Sequence, residues 1–67
     1  MQHDERLSED ELNRCLGKPA KCRQAPWLQG RVAAGAQYVG DRQQDGFLLV
    51  VEWPGFQSVV SRADLVL

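Results

Sequence analysis

Histidine, cysteine and methionine are nearly missing from these 67 residues, which hold one histidine, two cysteines and one methionine. A structural zinc takes four ligands of the Cys and His type, and Cys15, Cys22 and His3 fall short of that set, so no metal is expected. The same scarcity removes the familiar acid–base and nucleophile pairings. His3 stands near the start of the chain with no partnered nucleophile and reads as a solvated tail residue. Neither a catalytic residue nor a cofactor is expected. No run approaches the roughly 18 apolar residues of a membrane-spanning helix, so no membrane partner is expected. Residues Met1 to Glu5 lack the basic start and apolar stretch of a secretory leader, which implies a cytoplasmic location and reduced thiols.

Charge of one sign is lacking as well, with eight Lys and Arg against nine Asp and Glu. The near balance hides an asymmetry. Up to Leu16 five acids oppose two arginines, giving −3, whereas the remainder carries six bases against four acids, giving +2. Nonspecific nucleic-acid binders are usually strongly basic because their affinity comes from neutralising phosphates. A surplus of two is more typical of a solvated surface. A chain of this length forms one domain and buries only about 60% of its unfolded surface, so its core is marginal. Without disulfides or a metal, oligomerisation is the remaining way to enlarge it.

What is present is turn chemistry. Residues 1–6 read as a disordered tail and 7–17 as a helical segment. In Leu7-Ser8-Glu9-Asp10-Glu11-Leu12, Ser8 is an N-cap, Glu11 its capping-box partner, and Leu7 and Leu12 a hydrophobic staple. Gly17 and Pro19 supply the stop, so a helix is predicted over Glu9 to Leu16 with Leu12, Cys15 and Leu16 along one stripe. Two turns do not persist alone in water, so this helix must dock. Residues 18–67 read as the β body. Lys18 to Pro26 is expected to be an exposed basic connector. From Trp27 to Gly40 the pattern fits either a strand, with Val32, Ala34, Ala36 and Tyr38 alternating, or a helix; three glycines favour a bent strand. Asp41 to Gly46 reads as a hairpin loop, Phe47 to Trp53 as the central strand, and Trp53-Pro54-Gly55-Phe56 as a type II turn. Gln57 to Val60 is the next strand, Ser61 to Asp64 one capped helical turn, and Leu65 to Leu67 the closing segment.

Four groups of residues are candidates for binding. Trp27, Tyr38, Trp53 and Phe56 can gather on a curled sheet as a platform for a partner, against the alternative that Trp53 and Phe47 are core and Trp27 closes one barrel end. Leu48 and Val50 point away from Phe47, Leu49, Val51 and Trp53, so the strand is apolar on both faces and both need covering. Either the N-terminal helix or another subunit does this. Lys18, Lys21, Arg23, Arg31 and Arg62 are the nucleic-acid candidates. Cys15 reads as a small core residue, and Cys22, between Lys21 and Arg23, as an exposed thiol with cationic neighbours.

The segments Trp27-Leu28-Gln29-Gly30-Arg31-Val32, Gly46-Phe47, Glu52 to Gly55 and Ala63 to Leu65 resemble the SH3-like small barrels, and within them most closely the type II plasmid-encoded dihydrofolate reductases. Tudor and chromo-type readers are a looser resemblance. The likeness spans about residues 26–67. It implies a mainly β protein, a small SH3-like barrel of four to five antiparallel strands with one short N-terminal α-helix, of bacterial or mobile-element origin. In the reductases a Val-Gln-Ile-Tyr strand from four subunits lines a pore where folate and nicotinamide cofactor meet. The matching positions are Gln57, Ser58, Val59 and Val60, so the ligand-binding amide and phenol are replaced by Ser58 and Val60. The Tudor-like comparison implies an aromatic groove from Trp27, Tyr38, Trp53 and Phe56. The expected function is a non-enzymatic interaction or regulatory module that self-associates or takes an unknown protein partner. Nucleic-acid binding and an oligomeric reductase are the alternatives.

Overall fold

In the computed structural model, residues 6–39 and 42–67 are described, with side chains at 6–37 and 45–67. The tail read at residues 1–6 therefore lies, apart from Arg6, outside the described residues, as does His3.

The helix begins where its caps place it. The Ser8 amide donates to Glu11 Oε1 at 3.0 Å and the Glu11 amide donates to Ser8 Oγ at 3.2 Å, which satisfies two amide donors at the helix start. Helix α1 spans Glu9–Cys15, one residue shorter than expected, and Leu16 is its C-cap. The staple residues Leu7 and Leu12 both join the core. Leu7 also exchanges two backbone hydrogen bonds with Phe47, each 2.9 Å, which ties the chain ahead of the helix to the central strand. At the other end the Gly17 amide donates to the Val32 carbonyl at 2.8 Å. A seven-residue helix is thus fixed to the sheet at both ends.

The rest is β1 (Pro19–Cys22), β2 (Gln29–Val39), β3 (Arg42–Trp53), β4 (Phe56–Val60), a 3-10 turn (Arg62–Asp64) and β5 (Leu65–Val66). They form one antiparallel sheet in the order β4-β3-β2-β1-β5, so the protein is mainly β with one short N-terminal helix. Gly55 takes φ 85° after Pro54, the left-handed conformation that the third position of a type II turn demands. Ser61 caps the 3-10 turn by accepting from the Ala63 amide at 3.4 Å.

Three expectations are corrected. The connector at 18–26 contains a strand: β1 pairs with both β2 and β5, and Ala20 is 1% exposed. Its inward residues, Ala20 and Cys22, are too small to print a hydrophobic alternation. The loop at 41–46 is mostly strand, since β3 begins at Arg42; Gly40 and Asp41 lie outside the described residues. The third correction concerns β2, which is the bent strand anticipated but not a single alternating face. Its register against β3 shifts between Val32 and Ala34 and again between Ala36 and Tyr38. Across the first shift Val32 stays paired with Val51 while Ala34 pairs with Val50, so the two residues end on opposite faces.

The core gathers Leu7, Leu12, Ala20, Val32, Leu49, Val51, Trp53 and Leu65, drawn from the helix segment and four of the five strands. Trp53 keeps its one polar atom satisfied, Nε1 donating to Ser58 Oγ at 2.8 Å. Gly35 lies under the helix. A Cβ there would overlap the Leu12 side chain and meet Phe47 Cδ1 at 3.1 Å, so the missing side chain is what lets α1 sit down on β2.

Candidate functional site

Directly opposed residues of an antiparallel pair share a face. Leu49, Val51 and Trp53 of β3 therefore look into the core, while Leu48, Val50 and Glu52 look outward. The outward neighbours on β2 are Ala36 beside Leu48, Ala34 beside Val50 and Arg31 beside Glu52; on β4, Val59 stands beside Val50 and Gln57 beside Glu52. The result is an apolar band over three strands with a charged pair at one end. Neither Arg31 nor Glu52 forms an ion pair among the described residues.

Of the two covers the sequence allowed, the N-terminal helix or another subunit, the helix goes to the other face. Leu12 packs with Leu49 and Val51 and over Gly35, on the inward side. Leu48 is nevertheless only 6% exposed, so the accessible part of the band lies at half-buried Val50, exposed Ala34 and Val59, which is 46% exposed. Ala34, Ala36 and Val59 were not foreseen as members. The β2 bulge that turns Ala34 outward has no signature in an alternating pattern.

Three of the four aromatics have described side chains, and Trp27 stands apart from the other two. Trp53 is buried, and Phe56 lies against it with ring centroids 6.4 Å apart at 31°. Trp27 is 81% exposed on the turn between β1 and β2 and has no ring contact among the described residues. The Tyr38 side chain lies outside the described residues. Among the described side chains the aromatics form a single ring pair, with one ring in the core.

The basic candidates separate as well. Lys18, Lys21 and Arg31 are exposed, Arg31 on the outward face. Arg23 instead reaches across to the chain end: its Nε donates to the Ala63 carbonyl at 2.9 Å and its Nη2 to the Leu65 carbonyl at 3.2 Å. Arg62 reaches the same Leu65 carbonyl through Nη1 at 3.5 Å. Arg23 and Arg62 thus meet, and they share a cleft with Arg14 of α1, which was passed over as one charge on an acidic segment.

Cys15 and Cys22 are free thiols, half-buried and packed against the core. Cys22 is thus less exposed than its connector position suggested. Among the described residues no group of three or more His, Cys, Asp or Glu is placed to hold a metal ion, and no helix is long and apolar enough to cross a membrane. Gln57, Ser58, Val59 and Val60 lie on edge strand β4; Ser58 spends its hydroxyl on Trp53, and Val59 faces outward. Among the described residues Glu11 is the one carboxyl whose pKa is clearly displaced. Its pKa is lowered by the Ser8 backbone hydrogen bond first and then by the Ser8 side chain; desolvation opposes this, and the charge of Arg14 adds a smaller lowering. Comparison of the chain with protein-family models, with curated proteins and with solved structures finds no match in any of the three.

Proposed function

We propose that this chain is a non-enzymatic, SH3-like interaction module of the cytoplasm whose first partner is a second copy of itself, joined through the outward face of the sheet. The observation that carries the reading is the outward apolar row of exposed Ala34, half-buried Val50 and Val59, which is 46% exposed, on the face of the sheet that the helix does not take. The strand order β4-β3-β2-β1-β5, with a 3-10 turn before the last strand, supports the barrel-type reading. The band is also suited to a two-fold contact. In an isologous interface residue i of one copy meets residue j of the other and the converse, so Arg31 and Glu52 at the same end of the band give each copy one cation and one anion to exchange. A marginal core gains most from such a contact, since covering three aliphatic side chains removes apolar surface from water at about 25 cal/mol per Å².

The test is sedimentation or light scattering across a concentration series, with and without a mixed DNA pool at low salt. A dimer or higher oligomer is expected, and Val50→Lys combined with Val59→Lys should return it to a monomer with little change in the monomer's own fold. A protein that stays monomeric at every concentration refutes the reading. If its mass rises only with DNA, and the effect fades steeply with salt, the nucleic-acid reading takes its place.

A further inference from the structure

Between α1 and the 3-10 turn lies an open cleft of about 650 Å³, lined by Leu7, Glu11, Arg14, Cys15, Arg23, Arg62 and Ala63. None of these residues belongs to the outward band, and the cleft is independent of the self-association argued above. Three of the seven described lining residues are arginines, brought from three separate places: the last turn of the helix, the residue just after β1 and the 3-10 turn. A protein of formal charge −1 has little general reason to concentrate guanidinium groups in a concavity. Like charges held close repel, and such a cluster is stable at least expense when an anion lies between its members.

The three arginines are not equally engaged. Arg23 is pinned by its two bonds to the Ala63 and Leu65 carbonyls, so its guanidinium is preorganised and still has Nη1 to offer. Arg62 has one long bond to Leu65 and keeps its other donors. Arg14 donates to no protein acceptor among the described residues. Among the described residues Glu11 is the only acid on the lining, and its carboxylate is already turned to the Ser8 amide at 3.0 Å. Counted over the described residues, the lining charge is three positive against one negative, a surplus of two. Leu7, Cys15 and Ala63 give the cleft an apolar side, and its volume falls within the roughly 300–1,000 Å³ of small-molecule sites.

We infer that this cleft is a binding site for a small phosphorylated molecule, with Arg14, Arg23 and Arg62 holding a terminal phosphate dianion and the apolar wall facing the rest of the ligand. Arginine forks match the oxygens of a phosphate in pairs, and a surplus of two charges matches a monoester rather than a diester. A carboxylate carries half that charge, and a nucleic-acid backbone offers one charge per phosphate.

The experiment follows the arginine Nε–Hε and the cleft amide resonances by NMR while inorganic phosphate, a nucleoside 5′-monophosphate, the parent nucleoside and an oligonucleotide without terminal phosphates are added at constant ionic strength. Inorganic phosphate and the monophosphate should shift Arg14, Arg23, Arg62 and Ala63, and the nucleoside should not. Arg14→Gln and Arg62→Gln should each weaken binding about tenfold, the scale of one lost charge-assisted hydrogen bond. Lys18→Gln, an exposed cation outside both the cleft and the outward band, should leave it unchanged. Glu11→Gln keeps a capping-box residue and removes the opposing charge, so it should tighten binding. Arg23 is left intact because it also holds β5. Shifts that are absent, that persist undiminished in Arg14→Gln and Arg62→Gln, or that the unphosphorylated oligonucleotide reproduces at equal concentration overturn the assignment.

Discussion

Ser8 and Glu11 illustrate how a single pair of side chains ties pH to folding. The hydrogen bonds from the Ser8 backbone and side chain hold the Glu11 pKa below its usual 4.5. A folded-state value below the unfolded one means that ionised Glu11 stabilises the native protein above the unfolded pKa and that this contribution disappears as pH falls through the folded pKa. Thermal unfolding followed from neutral pH down to acid should show a loss of melting temperature below about pH 4.5, and Glu11→Gln should remove part of that slope. A Glu11→Gln protein with an unchanged acid slope would place the loss on other carboxylates. This pair was legible in the sequence because a capping box is a local device, written within four residues. Arg23 was not. Its two acceptors are the backbone carbonyls of Ala63 and Leu65, about forty residues away, and no local pattern announces a side chain that bonds to distant backbone.

Elements divide along the same line. The helix, the central strand and the Pro54-Gly55 turn could be read because each carries its own signal: caps, apolar alternation, and a proline–glycine pair. Strand β1 could not, since it has four residues with small inward side chains and owes its existence to β2 on one side and β5 on the other. The docking of α1 depends on a vacancy rather than on a side chain, and the role of Gly35 emerged only when Leu12 was found above it. Leu12→Ala should cost about 2–3 kcal/mol, because it empties a buried position under a short helix. Gly35→Ala should cost about 1–3 kcal/mol through overlap with Leu12 and Phe47. The two losses should not add, since removing the leucine relieves the overlap, and a double-mutant cycle by chemical denaturation measures the coupling. Additive losses would mean that the helix approaches the sheet elsewhere.

For the whole molecule, the sequence conveyed the class of the fold and its two-faced strand but not which residues of the second face would be reachable. Leu48 and Val50 were read together as that face, yet the structure buries Leu48 and leaves Val50 and Val59 as the accessible positions. That outcome depends on the bulge in β2 and on the pairing with β4, both properties of assembled strands. The strand order has a further consequence, in time rather than in space. Neighbours β2, β3 and β4 follow one another along the chain and need only short turns to meet, whereas β5 pairs with β1, joining Lys21 to Val66. Closing that large loop carries an entropic cost that two residues of β5 repay late. The β2-β3-β4 meander should therefore form first and the β1–β5 contact last. Chevron analysis should find that Val51→Ala slows folding, while Leu65→Ala, at the same depth of burial, mainly hastens unfolding. The end of the chain would then act as a latch, the first part of the protein to open and the last to shut.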